Sequence, residues 1–453
     1  MGGCASIAAF LTVTNLGYAD HWGDEMNGLL RALAVVNGRS EALFAHTKGP
    51  GEVLVPAAFG LLAGSWDPFT MRLPFALAHI AGTVTLYLLA RTMFNRSVAV
   101  LTALLIAIDG LYVAFGRLVQ YQALVFLITT LALWFAFHYY RYGNAWHLIG
   151  MAFLGSIGLL AHYDALVVVP VLAFLVGRRL VEHPAELRTH YRLLMGAVLL
   201  AAGMAALFYF PYLHYPRVSE TATYLGRRII GVTKWPANNF GELYVFNVLY
   251  NSVYYVAFLG AAVLLKAGYD LITAAGERAR RGRAIGVVIG LILAILIAYA
   301  TRLQRYLPLV AVCLGLGYLL TAPNIATAPK AVYIWVASAF LGYVFFVYHP
   351  CTHLQMILPG ATVLAGLGVV QALGALRARL CFCGSVRFWF VPTGLGALLL
   401  LLFANYQFTL FVDTRTEYVS PIRGTKIPSI GRIRAFLSAH AGPMVCPTAW
   451  VGR

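Results

Sequence analysis

The chain has 453 residues, 61% of them hydrophobic and only 11% charged, and Lys and Arg outnumber Asp and Glu by 33 to 16. That composition excludes a soluble globular protein and a disordered chain, and repeated apolar runs separated by short basic clusters describe a polytopic helical membrane protein. The net charge of +17 is scattered between apolar runs, which suits anionic lipid head groups or a phosphorylated substrate better than nucleic acid.

Apolar runs of span length occur near 3–19, 72–90, 97–115, 122–140, 147–161, 164–177, 193–213, 241–265, 284–301, 306–321, 331–348, 354–375 and 388–405. They predict an all-α membrane protein with about thirteen transmembrane helices. The first run is short and lacks a basic leader, which implies either a short first span or residues lost upstream. Residues 1–405 are expected to form one membrane domain with a polar loop at 20–71; 406–453 form a tail that closes no recognisable element and could be truncated. Six cysteines give no disulfide framework, and Cys381-Phe-Cys383 has no second half with metal-ligand spacing. With a cytoplasmic N-terminus, the short inner loops collect much of the Arg and Lys, as the positive-inside rule requires. The longer outer segments are basic too, so that rule alone does not fix the topology.

The polar loop holds Asp20, Asp24, Glu25, Arg31, Arg39, Glu41, Lys48 and Glu52 between two greasy stretches. Asp24 to Gly38 reads as an interfacial amphipathic helix with Leu29, Leu30, Leu33 and Val36 at helical spacing, stopped by Gly38. Asp24 falls at its N-terminus, where the helix dipole favours a carboxylate; an acid there is equally a simple cap. Glu25 points about 100° away, so the two acids face different surroundings, one a substrate and the other a loop. His46-Thr47-Lys48-Gly49-Pro50-Gly51 is a tight turn presenting Lys48 either to a phosphate or, as a snorkelling lysine, to the interface. The apolar Gly51–Gly64 stretch is too short to span and is expected as a re-entrant or interfacial helix.

Further along, Arg217, Arg227, Arg228 and Lys234 share one outer loop and would form either an anionic subsite or a solvated, head-group-facing surface. Ala161-His162-Tyr163-Asp164 lies between two spans, where His162 and Asp164 either line a cavity or are hydrated loop ends. His349-Pro350-Cys351-Thr352-His353 places two histidines four apart, but Pro350 argues against a regular helix that would let them chelate. Arg302 and Arg305 at the end of a span are further phosphate candidates.

The Asp-Glu pair after the first run, the His-x-Lys-x-Pro turn about twenty residues on, Arg72-Leu73-Pro74 opening a span and Gly116-Arg117-Leu118 at the next outer end together resemble the GT-C superfamily. The resemblance is nearest to the protein O-mannosyltransferases and lipid A aminoarabinose transferases, and its motifs cover about residues 1–180. It implies a multi-pass cell-membrane glycosyltransferase that moves a hexose or pentose from a polyprenyl-phosphate donor to a lipid, glycan or protein hydroxyl on the outer face. It also implies Asp24 as the catalytic acidic residue and Lys48 as the donor-phosphate contact; Arg227, Arg228, Arg302 and Arg305, from their positions in the outer segments, are the further phosphate candidates. Glu25, His46, Arg117, Gln122, His162, Asp164, His349 and His353 are the expected substrate contacts. Gln122 stands where relatives often have a second acid and can position but not deprotonate. Thr47 stands where metal-bearing relatives have an acid, so no metal or other cofactor is predicted. A single displacement would invert the anomeric centre. The competing readings are a transporter or flippase for a lipid-linked or anionic substrate, against which no internal repeat is visible, and an inactive GT-C-like scaffold.

Overall fold

A computed structural model describes residues 2–21, 23–45, 48–216, 218–229, 236–273, 277–301, 303–380 and 390–413. Among them the regular structure is helical throughout, so the all-α class holds. Helix α1 (Gly2–Val13) is followed by α2 (Asp24–Val36), α3 (Gly51–Ala63) and the long α4 (Pro68–Met93). Then come α5 (Arg96–Ala107), α6 (Gly110–Gly116), α7 (Tyr121–Tyr142), α8 (Trp146–Ala161), α9 (Val169–Glu182) and α10 (Pro184–Leu213). The second half holds α11 (Val218–Ile229), α12 (Phe240–Tyr250), α13 (Val253–Thr273), α14 (Glu277–Thr301), α15 (Leu307–Thr321), α16 (Thr327–Leu341), α17 (Leu358–Leu380) and α18 (Phe390–Gln407).

The breaks follow from local sequence. Asp67 caps α4 by accepting from the Thr70 amide, with Pro68 at the first helical position, and Asn95 caps α5 the same way through Val98. Gly64 and Gly143 end α3 and α7 in the left-handed conformation. Asp109 interrupts an otherwise apolar run: its carboxylate accepts from the Leu111 and Tyr112 amides, restarting the helix as α6 at 63° to α5.

Seven described helices, or eight if α5 and α6 make one bent span, are long and apolar enough to cross a membrane. The expected count of thirteen is therefore not reproduced by length and composition. Runs read as spans at 3–19 and 147–161 are helices of 12 and 16 residues, and part of the 164–177 run is a 3₁₀ turn, Tyr163–Val168.

The core lies between α4 and α7, with α5, α13, α16 and α17 around it. Apolar burial between helices gains little in lipid, so close packing carries the association. Small residues make it possible: Gly82 of α4 leaves room for the Phe126 ring of α7, and Gly368 of α17 lies against the Ala262 carbonyl of α13. By contrast few residues of α10 and α15 are buried, and α10 exposes Leu199, Leu207 and Phe210, as a lipid-facing helix does.

The polar loop folds as expected in outline. Helix α2 forms and Gly38 (φ 82°) ends it, while α3 packs against α2 and α4. Its apolar residues divide: Leu29 and Ala32 are buried with Glu25 and Gly28, whereas Leu30 (58% exposed) and Leu33 (41%) face outward, where an interfacial helix meets lipid. His46, Thr47, Arg217, Lys234, Arg302, Cys381, Cys383 and the tail beyond Asp413 lie outside the described residues.

Candidate functional site

One end of the bundle, where α1, α6, α8 and α16 finish and α4, α7 and α17 begin, gathers most of the polar side chains singled out in the sequence. Two buried arginines build its frame. Arg72, at the start of α4, forms a two-bond pair with Glu25 (Nε to Oε1 2.8 Å, Nη2 to Oε2 2.9 Å) and donates to the carbonyls of Leu16, Ala19 and Asp20. Arg117, just after α6, donates to the carbonyls of Leu11, Thr12, Thr14 and Asn15. A helix leaves its last carbonyls without intrahelical partners; Arg117 satisfies those of Leu11 and Thr12 at the end of α1, and Arg72 those of the loop that follows, so the exit of α1 is sewn to α6 and α4.

Two carboxylates then fix the loop before α7. Glu25 Oε1 accepts from the Val119 amide at 3.1 Å and Glu52 Oε1 from the Tyr121 amide at 2.9 Å. Burial pushes the Glu25 carboxyl up, but hydrogen bonds from Arg72 and His21 and the Arg72 charge outweigh it and hold it at about 2. The acid is ionised and fully engaged.

Lys48 reaches this place because the glycines beside it lack side chains. A methyl group on Gly49 would collide with the Leu160 carbonyl, and one on Gly51 would come within 2.8 Å of Ala161 Cα. The Lys48 turn thus lies directly on the C-terminal end of α8. Its ammonium sits 5.1 Å from the centre of the Tyr121 ring and 4.0 Å from Glu52.

Beneath Tyr121 lies a buried cluster. His162 stacks on the Tyr121 ring (3.5 Å, 7°). The Asp164 carboxylate accepts from the Tyr343 hydroxyl at 2.7 Å and lies 2.8 Å from His353 Nδ1, which is also 2.9 Å from the Tyr121 hydroxyl. His353 comes from a second 3₁₀ turn, Cys351–Ile357, which opens on Cys351 at positive φ and follows His349, also at positive φ, so no regular helix joins His349 to His353. Arg228, near the end of α11, closes the rim: Nη2 donates to the His349 carbonyl at 2.5 Å and Nη1 lies 3.5 Å from His353 Nε2. His349 is paired with Glu242 of α12.

Residues 48–209 match the family described as dolichyl-phosphate-mannose-protein mannosyltransferase, a stretch that opens on Lys48 and includes Tyr121, His162 and Asp164. The chain resembles the GT-C glycosyltransferases. Similar solved structures include the archaeal oligosaccharyltransferase AglB from Archaeoglobus fulgidus in complex with an inhibitory peptide and a dolichol-phosphate (14% identity, TM-score 0.46, 91% of this chain and 55% of that one). They also include ArnT from Cupriavidus metallidurans bound to undecaprenyl phosphate (14% identity, TM-score 0.49, 91% and 70%). The chain thus spans little more than half the length of that oligosaccharyltransferase. No curated protein matches it.

Lys48, Arg228, His162, Asp164, His349 and His353 come together as a group. Others among the sequence candidates take different places. Glu25 and Arg117, expected as substrate contacts, are 1% and 3% exposed and spent on holding the loop. Gln122 is buried too, its amide nitrogen donating to Gln120. His162, Asp164 and His353 are buried, so they shape the floor rather than face solvent. Arg227 is exposed on α11, and Arg305 is exposed with its guanidinium on the neighbouring Tyr306; neither joins the cluster. Asp24 is exposed at the first turn of α2. It shares a helix face with Gly28, whose missing side chain would point at the Glu52 carbonyl at 3.5 Å, so Asp24 lies on the edge of α2 that leads to the start of α3. Glu52, Tyr121, Tyr343 and Glu242 were not among the candidates. Glu52 sits in the charged window, but nothing in the local pattern of the other three marks them.

Proposed function

We propose that this chain is a membrane glycosyltransferase that transfers a sugar from a polyprenyl-phosphate donor to an acceptor hydroxyl on the extracytoplasmic face. The observation that carries the reading is the placement of Lys48: a cation 5.1 Å from the centre of the Tyr121 ring at the end of a helical bundle, with Arg228 reaching His353, which contacts the Tyr121 hydroxyl. Lysine and arginine suit a phosphate anion held at the membrane surface. The matched family is described by a dolichyl-phosphate sugar donor, and both solved neighbours hold a polyprenyl phosphate.

In this reading the acceptor oxygen attacks the anomeric carbon, the bond from that carbon to the phosphate oxygen breaks, and polyprenyl phosphate leaves with the electron pair. Lys48 and Arg228 stabilise the charge on the departing phosphate. Asp24 takes the acceptor proton as general base: it is an exposed carboxylate of the polar loop, seated at the first turn of α2, unlike Glu25, which Arg72 occupies. One displacement inverts the anomeric centre, and the sugar is a hexose or pentose.

The test is transfer from a radiolabelled polyprenyl-phosphate sugar by the purified full chain in detergent. Asp24→Asn should lower turnover by about 100-fold or more while leaving donor binding intact. Wild-type turnover in that variant would refute the assignment of Asp24. Movement of intact donor across vesicles without any glycosidic product would replace the transferase with a flippase.

A further inference from the structure

Beside Lys48 sits a carboxylate that the transfer step does not use. Glu52 lies four residues on, at the start of α3, and its two oxygens do different things. Oε1 accepts from the Tyr121 amide at 2.9 Å, the first N–H of α7, and the positive end of a helix favours a carboxylate there. Oε2 lies 4.0 Å from Lys48 Nζ. At that distance the two groups share a charge contact and not a hydrogen bond, so Glu52 leaves the hydrogens of the ammonium to another acceptor. The side chains also differ in access, Lys48 being 23% exposed and Glu52 6%. The cation therefore meets whatever enters the site, while the carboxylate behind it is held in place by α7.

A fixed negative charge a few ångströms from an anion site weakens every anion held there, and does so in proportion to the charge on that anion. Donor and product of the proposed transfer differ in this respect. A sugar joined through its anomeric carbon to a polyprenyl phosphate is a phosphodiester with a single negative charge. Once that bond breaks, the departing polyprenyl phosphate is a monoester with a charge of about −1.5 to −2 at neutral pH. Lys48 and Arg228 alone would hold the more highly charged product more tightly than the donor, and turnover would stall on it.

We propose that Glu52 sets the discrimination between donor and product at this site: its charge offsets that of Lys48, so that a polyprenyl phosphate monoester is not retained in preference to the phosphodiester donor. This role rests on the transferase reading above and adds to it the exit of the product. Asp164, the other carboxylate near Tyr121, is engaged by the Tyr343 hydroxyl and by His353. Among the described residues, Glu52 is the acid in ion-pair contact with Lys48.

The experiment measures binding to the purified full chain in detergent with two ligands that cannot transfer a sugar, a polyprenyl phosphate and its methyl diester, equal in chain and different in charge. Wild type should bind the two within about 3-fold of each other. Glu52→Gln keeps an oxygen for the Tyr121 amide and removes the charge. It should tighten the diester by about 3-fold and the monoester by about 10-fold, with an unchanged thermal midpoint, and in a transfer assay it should be inhibited more strongly by added polyprenyl phosphate. Glu52→Asp, which keeps the charge, should retain the wild-type ratio. No change in Glu52→Gln, or an equal change for both ligands, overturns the proposal. So does a wild type that favours the monoester by more than about 10-fold, a result that needs no variant to fold. A chain that shows the expected ratios yet transfers no sugar would sink the transferase reading and leave the charge discrimination standing, whereas a wild type that binds neither ligand overturns both.

Discussion

Replacing Glu25 by alanine removes one partner of a buried, two-bond ion pair and should free the polar loop from the bundle. Arg72 would remain 2% exposed with an uncompensated charge, and breaking such a pair from one side costs about 3–5 kcal/mol. The pKa supports that scale: a carboxyl held at about 2 against an ordinary 4.5 represents ~3 kcal/mol of preference for the charged partner in the folded state. The Val119 amide also loses its acceptor, so the loop before α7 loosens together with α2. Because the loss is local, the sensitive assay is limited proteolysis of the detergent-purified chain between Asp20 and Glu52. Cleavage there should accelerate by about 100-fold, with a fall in the thermal midpoint of ~5 °C. Asp24→Ala, one residue away and exposed, should match wild type in both assays within ~0.5 kcal/mol. Equal cleavage rates for Glu25→Ala and wild type would refute the claim that this pair anchors the loop.

Acid provides an independent probe of the same pair. The Glu25 carboxyl is depressed in the folded state, so its contribution is complete above about pH 4.5 and is lost as pH falls toward about 2; protease sensitivity of the loop should rise over that window in wild type and stay flat in Glu25→Ala. Gly49→Ala should destabilise by about 1–3 kcal/mol by colliding with the Leu160 carbonyl, and unchanged thermal unfolding would show that the Lys48 turn is free to lift off α8. Lys48→Ala should raise the KM for a polyprenyl-phosphate donor by about 10–100-fold, the loss of one charge-assisted contact. An effect confined to acceptor kinetics would contradict its role.

The sequence specified local features well because their causes are local. Apolar run lengths gave the all-α membrane class, helical spacing gave α2, and Gly38 gave its end. The count of thirteen spans is not reproduced among the described residues, and the reason is equally physical: hydropathy sums over a run and does not register a cap such as Asp109 or a 3₁₀ turn such as Tyr163–Val168, which split runs without making them polar. The family resemblance was legible because its motifs are short and ordered along the chain.

Partners far apart in sequence were not legible. Glu25 and Asp24 are adjacent and chemically alike, yet one is sealed against Arg72 and the other is exposed, and only the packing of α2 on α4 distinguishes them. Arg117, expected as a substrate contact, directs its donors to the carbonyls of Leu11, Thr12, Thr14 and Asn15 at the exit of α1, partners more than a hundred residues away that no local pattern marks. The charged window itself determined that a lysine would be presented from a Gly/Pro turn. The tertiary structure decided what that lysine rests on, because Tyr121, His162, Asp164 and His353 meet only when the ends of α8 and α16 and the start of α7 share one end of the bundle, and no local pattern encodes that encounter.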